Sequence, residues 1–127
     1  FHYEAGSNVR ATLTEIRERG CKACLTIKPG TAPEEIFEFL PLCDMVLVMT
    51  VEPGYGGQGF IPQCADKVAM LRKYCNENGF DKMNIQVDGG INTATAATVK
   101  DAGANVLVAG TYLFRAVDMK AAADAIR

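Results

Sequence analysis

Residues 44–60, DMVLVMTVEPGYGGQGF, join an apolar run directly to a glycine-rich segment. The run Met45–Met49 contains no polar residue, which is typical of a strand buried on both faces of a parallel sheet. Four glycines follow within residues 54–59, a density that excludes a helix or a strand interior. Such a bare backbone approaches a ligand closely and donates N–H groups to it. The stretch predicts a binding loop beyond the carboxyl end of a buried strand.

Length and composition limit the classes of protein that this sequence allows. The 127 residues suffice for one domain, which we expect to span the whole chain. The net charge is −2 and no basic patch contains interleaved aromatic residues, so we expect no nucleic-acid partner. No apolar run reaches the roughly 18 residues of a membrane span, so we expect no membrane partner. Five irregularly spaced cysteines indicate a reducing compartment, and we expect the cytoplasm, or a plastid if a transit segment precedes Phe1.

Strand and helix patterns alternate along the whole chain. Strands are predicted at residues 1–5, 23–27, 44–49, 83–87 and 105–109. Helices are predicted to begin near residues 8, 33, 61, 92 and 118, with Asn8 as the cap of the first, Thr31 of the second and Asn92 or Thr93 of the fourth. Strict alternation indicates a parallel sheet with right-handed crossovers. Two architectures fit, an open doubly wound sheet or part of a (β/α)8 barrel, which typically has about 250 residues.

Three of the predicted strands end in glycine signals, where ligands bind in α/β folds. These ends are Gly54-Tyr55-Gly56-Gly57, Asp88-Gly89-Gly90 and Gly110-Thr111. In a barrel the last two loops commonly bind phosphate, so the backbone N–H groups of Gly90, Gly110 and Thr111 are candidate phosphate ligands. The Asp88 carboxylate is predicted to project into the ligand region as a general acid/base or a metal ligand. Its structural alternative is an aspartate that caps a turn or helix.

Other polar residues near predicted strand ends have weaker functional interpretations. Lys28 would form a Schiff base if burial lowered its pKa, but a structural lysine is the better interpretation. Glu52 precedes Pro53 and is as compatible with tying the loop down as with acting on a substrate. His2 and Glu4 lie on one side of their predicted strand, and a packed, hydrogen-bonded pair is the favoured interpretation.

Several motifs together resemble the ribulose-phosphate 3-epimerase family. They are MTVEPGYGGQGF (Met49–Phe60), VDGGIN (Val87–Asn92) and AGANVLVAG (Ala102–Gly110), with FHYEA and IKPGT (Ile27–Thr31) in matching order. The resemblance implies a (β/α)8 TIM barrel of the ribulose-phosphate-binding type, of which this chain holds about strands four to eight. It also implies interconversion of D-ribulose 5-phosphate and D-xylulose 5-phosphate in the pentose phosphate pathway, by a homo-oligomer when full length.

The resemblance assigns roles to individual residues. Asp88 matches an aspartate that transfers a proton at C3 of the sugar and binds a divalent metal, which would be Zn, Fe, Mn or Co. Met49 matches an apolar methionine beside that metal. The resemblance also implies three groups of substrate-binding residues: a loop that closes over the substrate, the aspartate with the glycines after it, and a phosphate-binding turn. These residues are Gly54, Tyr55, Gly56, Gly57, Asp88, Gly89, Gly90, Gly110 and Thr111.

Part of the implied active site is missing from this sequence. The family pattern places a second acid/base aspartate and two metal-binding histidines on strands two and three, which this chain does not contain. We therefore expect a C-terminal portion of an epimerase that is inactive alone, with its remaining metal ligands outside the chain. Two alternatives stay open, a Schiff-base aldolase using Lys28 and a non-catalytic half-barrel module that binds phosphate.

Overall fold

A computed structural model describes all residues, 1–127, and contains one four-stranded parallel sheet. Its strands are β1 (Cys24–Ile27), β2 (Met45–Met49), β3 (Asn84–Asp88) and β4 (Val106–Val108). The helices are α1 (Val9–Glu18), α2 (Gln63–Glu77), α3 (Thr93–Asp101), α4 (Gly110–Phe114) and α5 (Met119–Ile126), and the 3₁₀ segments are Tyr3–Ala5 and Pro33–Leu42. No helix combines the length and the apolar character that crossing a membrane requires.

The spatial order of the strands distinguishes the two architectures that the sequence left open. The order is β1-β2-β3-β4, the same as in the chain, so every crossover advances by one strand in one direction. A doubly wound sheet reverses its strand order at a switch point, whereas a barrel wall does not. The sheet therefore has the topology of part of a (β/α)8 barrel, as the family resemblance implied.

The two faces of the sheet differ in burial. Residues facing the helices have no exposed surface, among them Val46, Val48, Ile85 and Val87. The opposite face, which would line a barrel, is only half-buried at alternate positions of β2. The prediction that β2 is buried on both faces was therefore wrong for this chain, because only one layer of helices covers the sheet. In register on this open face, Met49 pairs with Asp88 and Asp88 with Val108.

The predicted strand at residues 1–5 was wrong. Only His2 forms a bridge, with Thr26 of β1, and Tyr3–Ala5 form a 3₁₀ turn. Glu4 explains the turn, because its carboxylate accepts hydrogen bonds from the Lys28 amide at 2.9 Å and from the Thr31 hydroxyl. These hydrogen bonds are incompatible with an extended backbone at residue 4. The predicted pairing of His2 with Glu4 is confirmed, with 3.4 Å between the His2 Nδ1 and the carboxylate.

The predicted helix caps were right at two positions and wrong at one. Asn8 accepts a hydrogen bond from Ala11 N–H at 3.0 Å, and Asn92 accepts bonds from the first turn of α3. Thr31 does not cap the helical segment that follows it, because its hydroxyl is directed to Glu4. A cap prediction considers only local partners, and here a carboxylate distant in sequence competes for the hydroxyl.

Replacing Glu4 by glutamine should destabilise the chain by about 1–3 kcal/mol at neutral pH, because the hydrogen bonds to this carboxylate are charge-assisted. Burial alone raises the pKa of Glu4, but hydrogen bonds from Lys28 and Thr31 outweigh it and lower the pKa below its ordinary value. The ionised Glu4 carboxylate therefore stabilises the fold at pH values above the pKa that Glu4 has in the unfolded chain. This stabilisation is lost as pH falls through the lower folded-state pKa.

Urea unfolding followed by circular dichroism, at a series of pH values, measures this effect. The difference between parent and Glu4→Gln should be largest near neutral pH and should shrink in acid. The control is Glu18→Gln, because the Glu18 side chain is exposed and makes no ion pair. An equal loss of stability in both variants would contradict the anchoring role of Glu4.

Candidate functional site

An open cleft of about 650 Å³ lies at the carboxyl ends of β3 and β4. Three segments line most of it: residues 56–60 of the glycine loop, residues 88–92 from the end of β3, and residues 108, 110–112, 115 and 116 around α4. The carboxyl ends of neighbouring parallel strands meet at one edge of a sheet, so separate loops converge there. This convergence brings together six predicted site residues in addition to Asp88, namely Gly56, Gly57, Gly89, Gly90, Gly110 and Thr111.

Asp88 is the only acidic residue that lines the cleft. As the last residue of β3 it pairs with Met49 and Val108, so its side chain shares the open face of the sheet with theirs. The residue is half-buried, and its carboxylate takes part in no hydrogen bond or ion pair within the chain. The carboxylate is therefore free to exchange a proton with a bound molecule, and it caps neither a turn nor a helix.

Gly89 and Gly90 lie directly against the two ends of the glycine loop. A Cβ atom on Gly89 would lie 2.5 Å from Val51 Cγ2, and one on Gly90 would lie 2.5 Å from Phe60 N. Both glycines also have positive φ angles, +126° and +65°, which other residues rarely adopt. Glycine is required here because the loop base packs on the backbone of the turn that follows Asp88.

The glycine loop is held by its own side chains and backbone. The Gln58 amide donates hydrogen bonds to the carbonyls of Glu52 at 2.7 Å and Tyr55 at 2.9 Å, which fold the loop onto itself. Gly56 approaches the Thr111 hydroxyl, which would lie 3.8 Å from a Cβ at that position. Gly54 and Tyr55 do not line the cleft, and Tyr55 is 76% exposed. Their predicted contact with a substrate stays a prediction.

The far end of the cleft consists of the starts of α3 and α4. Gly110 and Thr111 open α4, and the first amides of a helix have no partner within the helix. The Tyr112 hydroxyl lies 2.9 Å from the Thr93 hydroxyl, which links α4 to the first residue of α3. This end of the cleft therefore offers unpaired N–H groups and the Thr111 hydroxyl, the groups that bind an anion.

Comparison with known proteins identifies the family. A model described as the Ribulose-phosphate 3 epimerase family matches residues 1–114, nearly the whole chain. The chain belongs to this family. The sequence resemblance is thereby confirmed at the level of the family.

The relatives that the chain matches are longer proteins. The ribulose-phosphate 3-epimerase of Candida glabrata is 50% identical over 118 residues, which cover 93% of this chain and 46% of that protein. The Escherichia coli K12 enzyme of the same name is 40% identical over 127 residues, covering 100% of this chain and 56% of that protein. The chain therefore spans about half the length of these epimerases.

A solved structure supports the fold alone. The crystal structure of 3-hexulose-6-phosphate synthase aligns with a TM-score of 0.62 and 18% identity, covering 93% of this chain and 54% of that one. That protein is a TIM barrel, and this chain matches about half of it. The predicted partial (β/α)8 barrel is therefore confirmed for this epimerase-family chain.

The other candidate residues of this epimerase-family chain lie away from the cleft. Lys28 is exposed and does not line the cleft, and its backbone N–H donates to Glu4. The Lys67 ammonium contacts three backbone carbonyls, among them that of Lys28 at 3.3 Å and that of Thr31 at 2.5 Å. The geometry thus favours a structural role for this segment and gives no support to a Schiff base at Lys28. Glu52 is exposed, and its carbonyl helps to tie the loop down.

Four polar residues that line the cleft were not predicted from the sequence as site residues. They are Gln58, Asn92, Tyr112 and Arg115. The position of Gln58 inside the glycine loop is a signal that could have identified it, because a polar side chain there is placed to form hydrogen bonds with the loop backbone. Arg115 forms no ion pair within the chain. Its local sequence does not identify it as a site residue, because it follows α4 and not a strand.

The residues of this chain do not by themselves fit the divalent metal that the resemblance implies. No group of three or more His, Cys, Asp or Glu side chains is arranged to hold a metal ion. Asp88 is the single side chain of those types in the cleft. One carboxylate does not make a catalytic metal site, so a metal-binding role for Asp88 stays a prediction.

The cysteines are not placed for chemistry. All five are free, and none lines the cleft. Burial raises the pKa of the Cys43 thiol to about 12 and also raises the pKa of Cys64 and Cys75 above the ordinary value. Burial therefore disfavours the reactive thiolate form of these three cysteines.

Proposed function

We propose that residues 1–127 form one partial-barrel domain of an enzyme that interconverts D-ribulose 5-phosphate and D-xylulose 5-phosphate. The observation that carries the proposal is the convergence in one cleft of a free carboxylate, a glycine loop and the unpaired amides of Gly110 and Thr111. A sugar phosphate needs a grip for its anionic end and an acid/base group near the reacting carbon. Membership of the epimerase family supports this reading of the cleft.

In this proposal Asp88 transfers the proton at C3 of the sugar. Epimerisation breaks the C3–H bond on one face of the sugar and forms a C3–H bond on the other face. The Asp88 carboxylate has no partner inside the chain and lines the cleft, as a proton acceptor must. The residue that acts on the opposite face lies outside this chain, so we expect the chain alone to be inactive.

The phosphate group of the sugar occupies the other end of the cleft in this proposal. The backbone N–H groups of Gly90, Gly110 and Thr111 bind its oxygens, and the Thr111 hydroxyl adds a further donor. Gly56 and Gly57 border the same cleft and contact the substrate from the loop side. Gly54 and Tyr55 contact it only when the loop folds over the cleft.

The remaining predictions concern partners and location. We propose that the full-length protein is a homo-oligomer. We also propose a cytoplasmic location, which the five free cysteines support because thiols stay reduced there. If the full enzyme binds Zn, Fe, Mn or Co, Asp88 supplies one ligand and residues outside this chain supply the others.

The non-catalytic phosphate-binding module is the second candidate function. It is favoured by the presence of a single acid/base residue in the cleft.

A graft tests the proposed function. In the grafted enzyme, the matched region of the Candida glabrata relative is replaced by this chain, which is 50% identical to it over 118 residues. We expect the grafted enzyme to convert ribulose 5-phosphate to xylulose 5-phosphate, and the isolated chain to show no turnover. A folded grafted enzyme without turnover would contradict the proposal. If the isolated chain were then stabilised by inorganic phosphate, the binding module would be the correct function.

A further inference from the structure

Thr50 joins the glycine loop to the turn that carries Asp88. It is the first residue after β2 and has no exposed surface. Its hydroxyl donates a hydrogen bond to the Gly89 carbonyl at 2.5 Å, and its N–H donates to the Asp88 carbonyl at 2.9 Å. Its own carbonyl accepts a bond from Ile61 N–H at 2.8 Å, which closes the base of the loop. One buried residue therefore holds both the loop base and two successive carbonyls of the turn.

The bond to Gly89 also orients the next amide. The Gly89 carbonyl and the Gly90 N–H belong to one planar peptide group and point in opposite directions. The Gly90 N–H donates no hydrogen bond within the chain, and Gly90 lines the cleft. Gly89 has a φ of +126°, and because a glycine backbone is sterically free, a group bonded to its carbonyl restricts the orientation of this peptide. The Thr50 hydroxyl is that group.

We infer that Thr50 is a positioning residue for the epimerase reaction. Its hydroxyl holds the peptide between Gly89 and Gly90 so that the Gly90 N–H faces the phosphate of the substrate. Its N–H holds the Asp88 carbonyl, which keeps the acid/base carboxylate in register with the bound sugar. The inference rests on the proposed function and names the residue that couples the glycine loop to the cleft.

The test uses two substitutions of Thr50 that differ in the hydroxyl. Thr50→Val keeps the shape of the side chain and removes the donor, whereas Thr50→Ser keeps the donor. In the grafted enzyme, Thr50→Val should raise the KM for ribulose 5-phosphate and the inhibition constant of inorganic phosphate by about tenfold and lower kcat by about tenfold to a hundredfold. Thr50→Ser should remain within about threefold of the parent in all three constants.

Thr31→Val is the matched control, because Thr31 is also buried and its hydroxyl also makes a hydrogen bond, outside the cleft. It should lose stability to urea as Thr50→Val does, while its KM and phosphate inhibition stay at the parent values. A role in stability alone lowers the active fraction without changing the KM. An unchanged KM in Thr50→Val, or equal constants in the serine and valine variants, would overturn the inference.

A measurement on the chain itself separates this inference from the proposed function. In a ¹H–¹⁵N spectrum of the isolated chain, inorganic phosphate should shift the Gly90 amide signal in the parent and in Thr50→Ser. The apparent affinity should fall by about tenfold in Thr50→Val. No shift in the parent, or equal affinity in the valine variant, overturns the inference even if the grafted enzyme is active. An inactive grafted enzyme contradicts the proposed function and leaves this binding result to decide the role of Thr50.

Discussion

Replacing Asp88 by asparagine in the grafted enzyme should lower kcat by about a hundredfold to ten-thousandfold, the usual contribution of a general acid/base. Asparagine has nearly the shape of aspartate but does not exchange a proton at neutral pH. The KM for ribulose 5-phosphate should stay within about threefold of the parent value, because the proposed phosphate grip is built from other residues. Initial rates over a range of substrate concentrations measure both constants.

The same substitution should cost little stability, because the Asp88 carboxylate forms no hydrogen bond or ion pair that would be lost. Asp101→Asn is the control, since Asp101 is an exposed residue at the end of α3. It should keep the kcat of the parent. Near-normal turnover in Asp88→Asn would remove Asp88 from the proton-transfer step, whereas a large loss of stability would show that the carboxylate has a structural partner.

Replacing Gly90 by alanine should disturb both the fold and the cleft. The positive φ of +65° costs a non-glycine residue about 1–3 kcal/mol. The new Cβ would also lie 2.5 Å from Phe60 N and 2.8 Å from Phe60 Cα, so the backbone at the end of the glycine loop has to move. A displacement of this size in a binding site lowers kcat/KM by about a hundredfold. Urea unfolding and steady-state rates of the grafted enzyme measure the two effects.

Gly30→Ala provides the comparison for this prediction. Gly30 also lies in a loop after a strand, but its φ is not in the left-handed region, and a Cβ there would meet no atom within 4 Å. Alanine at position 30 should change the free energy of unfolding by less than about 1 kcal/mol and leave turnover unaffected. If Gly90→Ala behaved in the same way, the close approach of Phe60 to the turn would not constrain the loop.

The sequence indicated much of the candidate site because its signals are local. Asp88 and the paired glycines after it are marked by their place at the end of an apolar strand, and so is Thr111 after Gly110. Thr50 carried no such mark, because a polar residue after a strand is ordinary. Its role depends on a hydrogen bond to Gly89, 39 residues away in sequence. Such a bond exists only when β2 and β3 are paired.

The first predicted strand failed for the same reason. The alternation of residues 1–5 favours a strand, and His2 does begin to pair with β1. Glu4 then turns away to reach the Lys28 amide and the Thr31 hydroxyl, so the extended course ends. The burial of β2 was also overestimated. An apolar run does not reveal how many layers of helices cover it, and in this chain one face of the sheet stays half-buried.

By itself the sequence determined the alternation of strands and helices, the parallel sheet and the strand ends at which a ligand would bind. These follow from hydrophobic periodicity and from glycine, properties of neighbouring residues. The tertiary structure decided that the strands lie in chain order, which favours a barrel wall over a doubly wound sheet. It also decided that Val51 and Phe60 pack on Gly89 and Gly90, and that the Thr50 hydroxyl reaches the Gly89 carbonyl. These contacts join residues far apart in the chain, and only strand pairing brings them within bonding distance.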